Sequence, residues 1–244
     1  MVAEDSVTGN ESVAPDEELS IAEMIRLVPE GETRLFEPRY DDEEEPRFFS
    51  VHQNWDYYPG RLKWHNQMPL GENPWFGSRD KSRIGVSVVP QPDVTFKGAA
   101  KGLVDFYSTG NAAFFLSEKL AALIERLDPG SLERRPMMIK AKDAEVPFVM
   151  AMPARILEGI DPARMNVLVQ DERRSEHRCM RFVRFPEGVT FKRNISAGIH
   201  SFSDLDELAW WWSRELINAA KVDRIKGLYT KTRHPVVGRD VDRL

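Results

Sequence analysis

The chain has 244 residues, 41% hydrophobic and 30% charged, and this balance excludes a disordered protein. No apolar run approaches the roughly 18 residues of a transmembrane helix, and the acidic N-terminus lacks the basic start of a signal peptide. The single cysteine, Cys179, excludes an intramolecular disulfide and a cysteine-rich zinc site. We therefore expect a cytoplasmic protein that does not associate with membranes.

Charge is distributed unevenly along the chain. Residues 1–46 contain 15 Asp or Glu against 3 Lys or Arg, whereas the whole chain has a net charge of -5. The remainder is therefore basic, and the acidic segment either neutralises it within the molecule or contacts a separate basic partner. Because the first residues have few large apolar side chains, we expect residues 1–32 to form a flexible acidic arm with one short helix.

Short strands separated by turns are predicted from Thr33 to Ala113, at "TRLFEP", "RFFSVHQ" and "IGVSVVP". The loop between the last two strands is rich in Pro, Gly and Asn, yet it carries several large aromatic side chains. Such a loop must pack against something, either its own sheet or a partner.

The clearest single element is "FFLSEKLAALIERLDPG". Its leucines recur at helical spacing between an N-cap, Ser117, and a stop at Asp128, which predicts an amphipathic helix over about residues 117–127. Further strands are predicted at "RRPMMIKA", "PFVMAMP", "NVLVQ", "CMRFVRF", "VTFKR" and "IKGLYTK".

Three consecutive tryptophans occupy positions 210–212. Ser203 resembles a helix N-cap and no Gly or Pro follows it before Gly227, so we predict one continuous helix from Ser203. In that helix Trp212 lies on the core face, whereas Trp210 lies on the charged side. Trp210 is therefore expected to be partly exposed, or covered by the arm or a partner.

One internal similarity predicts a different structure for the same residues. "FFLSEKL" at 114–120 and "WWWSREL" at 210–216 each consist of three large apolar residues, a serine, two charged residues and a leucine. If this match reflects structure, Ser213 caps a helix and the tryptophans form a strand. Seven positions are too few to establish a repeat, and we prefer the continuous helix.

Motifs of known catalytic classes are absent from the sequence. It has no glycine-rich phosphate loop, no G-x-S-x-G elbow and no H-E-x-x-H pair, and no two of its five histidines lie within four residues of each other. We therefore expect no catalytic residue, no cofactor and no metal. Thiol chemistry at His177 and Cys179, which share a face if they lie on a strand, is the third-ranked alternative.

A basic stretch from Arg173 to Arg193 supports a second alternative, a nucleic-acid-associated accessory protein. Dense Lys and Arg side chains neutralise phosphates, and aromatic rings stack on bases. The chain has no recognised nucleic-acid-binding motif and its net charge is negative, so nucleic acid is not the partner that we expect.

The remaining features are typical of protein recognition. Aromatic side chains act as anchors, and a dense negative field beside them orients a partner and accelerates association. The candidate partner-binding residues are the acidic run, the aromatic residues near it and the charged-side tryptophan: Asp41, Asp42, Glu43, Glu44, Glu45, Trp55, Tyr57, Tyr58, Trp64 and Trp210.

Four segments, in chain order, resemble a known family: "FFLSEKLAALIERLDPG", "PMMIKA", "FVMAMPARILEGIDPARM" and "WWWSRELINAAKVDRIKGLYTKT". They are similar to the bacterial immunity proteins of polymorphic toxin systems, first described from myxobacteria as a family of unknown function. The match covers about residues 84–233, with Ile160 and Asp161 in the middle turn and Gly227 and Leu228 at the last strand. It implies direct binding and neutralisation of a cognate toxin in interbacterial competition, such as a type VI secretion effector, and carries over no catalytic residue.

These observations lead to one expected architecture. Residues 33–244 should form a single α+β domain, with a largely antiparallel sheet covered by two or three helices. The expected partner is a cognate toxin bound 1:1, and the acidic arm favours a toxin with a basic surface. The sequence also leaves a homodimer open.

Overall fold

Three β-sheets dominate the secondary structure of the described chain. The computed structural model describes residues 18–40, 47–54, 62–67, 85–86, 90–109, 113–175, 178–186, 188–204, 209–231 and 241–243, and for residues 172–175, 178–181, 231 and 241–243 it describes the backbone alone.

The helices are α1 (Ile21–Arg26), α2 (Glu118–Leu127) and α3 (Arg214–Val222). The strands are β1 (Thr33–Phe36), β2 (Phe48–Gln53), β3 (Leu62–Trp64), β4 (Val94–Phe96), β5 (Phe106–Ser108), β6 (Phe114–Ser117), β7 (Leu132–Lys140), β8 (Glu145–Pro153), β9 (Ile156–Leu157), β10 (Val167–Ser175), β11 (Arg178–Arg184), β12 (Ser201–Asp204), β13 (Trp210–Ser213), β14 (Leu228–Lys231) and β15 (Val241–Arg243).

The chain divides into two compact units. Unit 1 comprises Met1–Asp41 and Pro162–Phe185, and unit 2 comprises Asp42–Asp161 and Pro186–Leu244. Unit 1 contains α1 and a three-stranded sheet in the order β1-β10-β11, with both pairs antiparallel. The β10–β11 hairpin belongs to unit 1 because it pairs with the N-terminal strand β1, and the expected boundary between residues 32 and 33 stays a prediction.

Two six-stranded sheets form the framework of unit 2. One has the order β15-β14-β2-β13-β12-β9 and the other β3-β4-β7-β8-β6-β5. Adjacent strands are antiparallel except for the pairs β9–β12 and β4–β7. One hydrophobic cluster joins side chains of both sheets with side chains of α2 and α3.

The predicted α+β class is wrong. The described residues form a β-rich fold of three sheets with three short α-helices, not one sheet covered by helices. The physical reason lies mainly in the region after Ser203, where the predicted helix is replaced by strands β12 and β13 and the short helix α3.

Several local predictions are confirmed. The short helix in the N-terminal region is α1, and the strands "TRLFEP" and "RFFSVHQ" are β1 and β2. The helix predicted over 117–127 is α2, and Ser117 is its N-cap. "VTFKR" forms only a single bridge, between Phe191 and Ile160, and the predicted strand "IGVSVVP" lies mostly outside the described residues.

The three tryptophans form β13, a central strand between β12 and β2. Alternation places Trp210 and Trp212 on one face, with their rings 5.2 Å apart, whereas Trp211 faces Phe191 at 4.8 Å. Trp210 is 1% exposed and its indole Nε1 donates a hydrogen bond to Ser201 Oγ at 2.8 Å. The predicted continuous helix and the predicted exposure of Trp210 are therefore both wrong.

A structural repeat accounts for the internal similarity. Ser117 and Ser213 each end a strand and cap the following helix, and their Oγ atoms accept hydrogen bonds from the backbone N–H groups of Leu120 and Leu216, both at 3.2 Å. Each preceding strand, β6 or β13, pairs with the strand before it, β5 or β12. The less favoured interpretation, in which Ser213 caps a helix, is the correct one.

Both serine caps have an equivalent second partner at the start of the preceding hairpin. Ser117 Oγ donates to Asp105 Oδ1 at 2.6 Å, and Ser213 Oγ is hydrogen-bonded to His200 Nδ1 at 2.8 Å. The backbone carbonyls of Asp105 and His200 accept the N–H groups of the same serines, both at 2.9 Å. Each helix is thereby fixed to its own hairpin at the same point.

A buried carboxylate connects the two repeats. Asp128 follows α2, is 2% exposed, and accepts hydrogen bonds from Arg155 Nη1 at 3.0 and 2.8 Å. Its Oδ2 also accepts the backbone N–H groups of His200 and Ser201, both at 2.8 Å. The end of the first helix is thus held to the start of β12.

Replacing Trp210 with alanine should lower the free energy of unfolding by about 3–5 kcal/mol, because it leaves a core cavity and an unpaired Ser201 hydroxyl. Urea unfolding measures the change. Val222 is 80% exposed, so Val222→Ala should change stability by less than about 0.5 kcal/mol. Equal, small effects of the two substitutions would contradict the buried strand.

Replacing Asp128 with alanine should cost about 3–5 kcal/mol, because two buried backbone N–H groups and the Arg155 guanidinium lose their acceptor. The matched control is Arg126→Ala, which removes an exposed ion pair with Asp223 and should cost under about 1 kcal/mol. Thermal and urea unfolding of both variants test this difference, and similar losses would refute a special role for Asp128.

Candidate protein-binding surface

Most of the residues predicted to bind a partner lie outside the described residues. These are the acidic run Asp41, Asp42, Glu43, Glu44 and Glu45 and the aromatic residues Trp55, Tyr57 and Tyr58. Their role in binding stays a prediction. The structure places two of the predicted residues, Trp64 and Trp210.

Trp64 and Trp210 pack within the protein itself. Trp64 lies on β3, half-buried, with its ring 5.3 Å from that of Phe115 in an edge-to-face arrangement. Its Nε1 donates to Asn66 Oδ1 at 2.8 Å. Trp210 lies in the core, where its ring is 4.7 Å from that of Phe114. The structure therefore does not bring these two tryptophans together on a free surface.

Exposed apolar side chains are concentrated instead in unit 1. Among the described residues, the exposed large hydrophobic side chains are Leu27, Leu35, Tyr40, Met138 and Val222, and the first three belong to this smaller unit. Leu35 and Tyr40 expose 49% and 51% of their surface. Exposed apolar side chains that lie together are typical of an interaction site.

Two of these side chains, Leu27 and Leu35, line a cavity of about 320 Å³, which we call the unit 1 cavity. Its apolar wall comes from α1 and its flanks, from β1 and from the turn before β10: Leu19, Met24, Leu27, Leu35, Phe36, Pro162 and Ala163. Its charged groups are Arg34, Glu37 and Arg39. A cavity that combines apolar side chains with charged groups in this way can both bury a ligand group and orient it.

Backbone contacts within unit 1 fix the walls of this cavity. A capping box begins α1. The Ser20 hydroxyl accepts the Glu23 backbone N–H, and the Glu23 carboxylate accepts the Ser20 backbone N–H. Gly31 turns the chain towards β1 with a φ of 84°, and its N–H donates to Asp171 Oδ2 at 2.7 Å. After β1, the N–H of Arg39 donates to the carbonyl of Ala163 at 2.7 Å.

The capping box also alters the acidity of Glu23. Hydrogen bonds from the Ser20 hydroxyl and then from the Ser20 backbone N–H, at 2.6 and 2.7 Å, hold the pKa of the Glu23 carboxyl below its usual value. The ionised carboxylate is therefore the form that caps α1.

Exposed apolar residues in unit 1 were not recognised from the sequence, although "TRLF" contains a partial signal. Adjacent residues of a strand point to opposite faces of the sheet, so Leu35 and Phe36 cannot be buried against the same face. Pairing with β10 places Phe36 opposite the buried Val167 and Leu35 opposite the half-buried Leu168. Which face stays open depends on residues more than 100 positions away in the chain.

The structure does not test the two alternative functions, thiol chemistry and nucleic-acid binding. Cys179 lies on β11, where the backbone alone is described, and His177 lies outside the described residues. The side chains of the arginines between positions 173 and 181 are not described either. Within the described ranges, no group of three or more His, Cys, Asp or Glu side chains could hold a metal ion. None of the helices described is long and apolar enough to cross a membrane.

Comparison with known proteins adds no assignment to this geometry. The chain matches no family model and no curated protein. The fold and surface define, by themselves, a β-rich two-unit chain whose smaller unit has a surface cavity lined by apolar and charged side chains.

The capping box predicts a pH dependence of α1. Because the folded pKa of Glu23 is lowered, its stabilising contribution is present above the unfolded pKa and is lost as the pH falls through the folded value. Carbon-13 NMR titration of the Glu23 carboxyl measures this pKa. Ser20→Ala should raise it towards the usual value, whereas Ser20→Thr, which retains the hydroxyl, should keep it low. An unchanged pKa in Ser20→Ala would contradict the capping role.

Proposed function

We propose that this chain is an immunity protein, which binds a cognate bacterial toxin by direct protein–protein contact and neutralises it. The proposal is supported by the resemblance of residues 84–233 to polymorphic-toxin immunity proteins. On the structural side, one observation carries it, namely the exposure of Leu27 and Leu35 at the unit 1 cavity, with exposed Tyr40 directly after Arg39 of its lining.

The chemistry of this surface suits binding. Aliphatic side chains desolvate at little cost, and tyrosine is enriched among the residues that dominate interface energies. Arg34, Glu37 and Arg39 surround the apolar wall with charges of both signs, which orient a partner more than they add affinity. A toxin held on this surface would be neutralised by occlusion of its active site or substrate groove.

The acidic run at Asp41–Glu45 adds a kinetic element to the proposal. Five consecutive carboxylates raise the rate of encounter with a basic surface, such as that of a nuclease toxin, and this effect weakens with salt. Replacing the five residues with Ser or Asn should therefore slow association and reduce its salt dependence, as measured by stopped-flow binding.

Co-expression with the gene adjacent to the native gene, which the proposal expects to encode the toxin, tests the proposed function. The wild-type chain should restore growth to a host that expresses this toxin, and the two proteins should co-purify in a 1:1 complex. A variant with both Leu35 and Tyr40 changed to Glu should lose protection while it remains folded by circular dichroism, because both side chains are about half exposed.

Two results would overturn the proposal. One is the absence of protection and of any complex with the adjacent gene product. The other is co-purification of RNA or DNA in place of a protein partner, which would favour the nucleic-acid-associated alternative. Val222→Glu serves as the matched control, because it places a charge at an exposed apolar position of unit 2.

A further inference from the structure

Strand β1 forms an open edge of the unit 1 sheet. Among the described residues it pairs only with β10, through the register from Thr33 opposite Gln170 to Phe36 opposite Val167. An edge strand presents unpaired backbone N–H and C=O groups, which an added extended segment can satisfy. The free side of β1 is therefore a template for strand addition.

The same strand lines the unit 1 cavity. Arg34, Leu35 and Phe36, three of its four residues, contribute to the wall, and Glu37 and Arg39 follow directly. A segment paired with β1 would therefore run along the cavity. Every second side chain of the segment would be within reach of the cavity. The cavity volume of about 320 Å³ is sufficient for one large apolar side chain.

Charge defines the chemistry of the segment that fits. The cavity carries two guanidinium groups against one carboxylate, so its own lining is net positive. The Arg34 guanidinium lies over the Phe36 ring at 4.8 Å, which holds it against the apolar wall. A carboxylate next to an apolar side chain would meet this guanidinium with little rearrangement.

We propose that β1 and the unit 1 cavity bind an extended segment of a protein partner by strand addition. One large apolar side chain of the segment enters the cavity, and an Asp or Glu within two positions of it pairs with Arg34 or Arg39. The inference rests on the proposed function in one respect, because the toxin is then the protein that supplies the segment.

Selection of a random octapeptide phage library on the full-length chain tests this specificity. Enriched peptides should share one large apolar residue with Asp or Glu within two positions. Fluorescein-labelled copies of them, measured by anisotropy, should bind Leu35→Glu and the double variant Arg34→Glu, Arg39→Glu at least roughly tenfold more weakly. Met138→Glu, at an exposed apolar position of unit 2, should bind them like the wild type.

Four outcomes would overturn the inference. They are a library without enrichment, a basic consensus, peptides that bind Leu35→Glu as tightly as the wild type, and a dimer of the full-length chain that Leu35→Glu dissociates in sedimentation velocity. The last result would identify a second copy of the chain as the occupant of the β1 edge.

Failure of this inference is distinguishable from failure of the proposed function. If Leu35→Glu and the double arginine variant bind and neutralise the toxin as the wild type does, strand addition at β1 is wrong and immunity stands. If no toxin is bound but the selected peptides depend on Leu35 and Arg34, immunity is wrong and the β1 site stands.

Discussion

The architecture of unit 2 depends on the hydrogen bonds that the buried carboxylate of Asp128 accepts. This carboxylate lies immediately after α2, yet it receives the Arg155 guanidinium and two backbone N–H groups from the start of β12. A buried carboxylate with fewer donors would be strongly destabilising, so the contact fixes where the second hairpin begins. Strand β12, which begins at that anchor, pairs with β13 and its three buried tryptophans.

The two strand–helix repeats explain which parts of the fold could be predicted from the sequence. Local signals are strong for α2, because an N-cap serine, helical spacing of leucines and a stop all agree. At Ser213 the same cap is present, but Ser203 offers a competing start and a run of apolar residues fits a helix or a buried strand equally well. Burial on both faces of β13 decides between them, and the partners that cover it, such as Phe114 and Phe191, are distant in sequence.

The candidate site could be predicted less well, for a related reason. Large aromatic residues in a sequence are typical of binding anchors, but they also have the apolar area that a core needs. In unit 2, Trp64 and Trp210 both pack against other side chains of the protein. Leu27 and Leu35 are unremarkable in the sequence. They become a surface because the β10–β11 hairpin returns to the N-terminal segment and, among the described strands, leaves β1 at the edge of its sheet.

Strand β2 has a consequence for the order in which the molecule assembles on the ribosome. Its two sheet neighbours, β13 and β14, follow it by about 160 residues or more. At the usual rate of translation, the strand emerges roughly ten to thirty seconds before either neighbour exists. During that interval its apolar residues, Phe48, Phe49 and Val51, are without the strands that bury them, whereas β5 to β8 are contiguous enough to fold as they appear. The nascent chain therefore carries an aggregation-prone segment that early chaperone binding would have to cover.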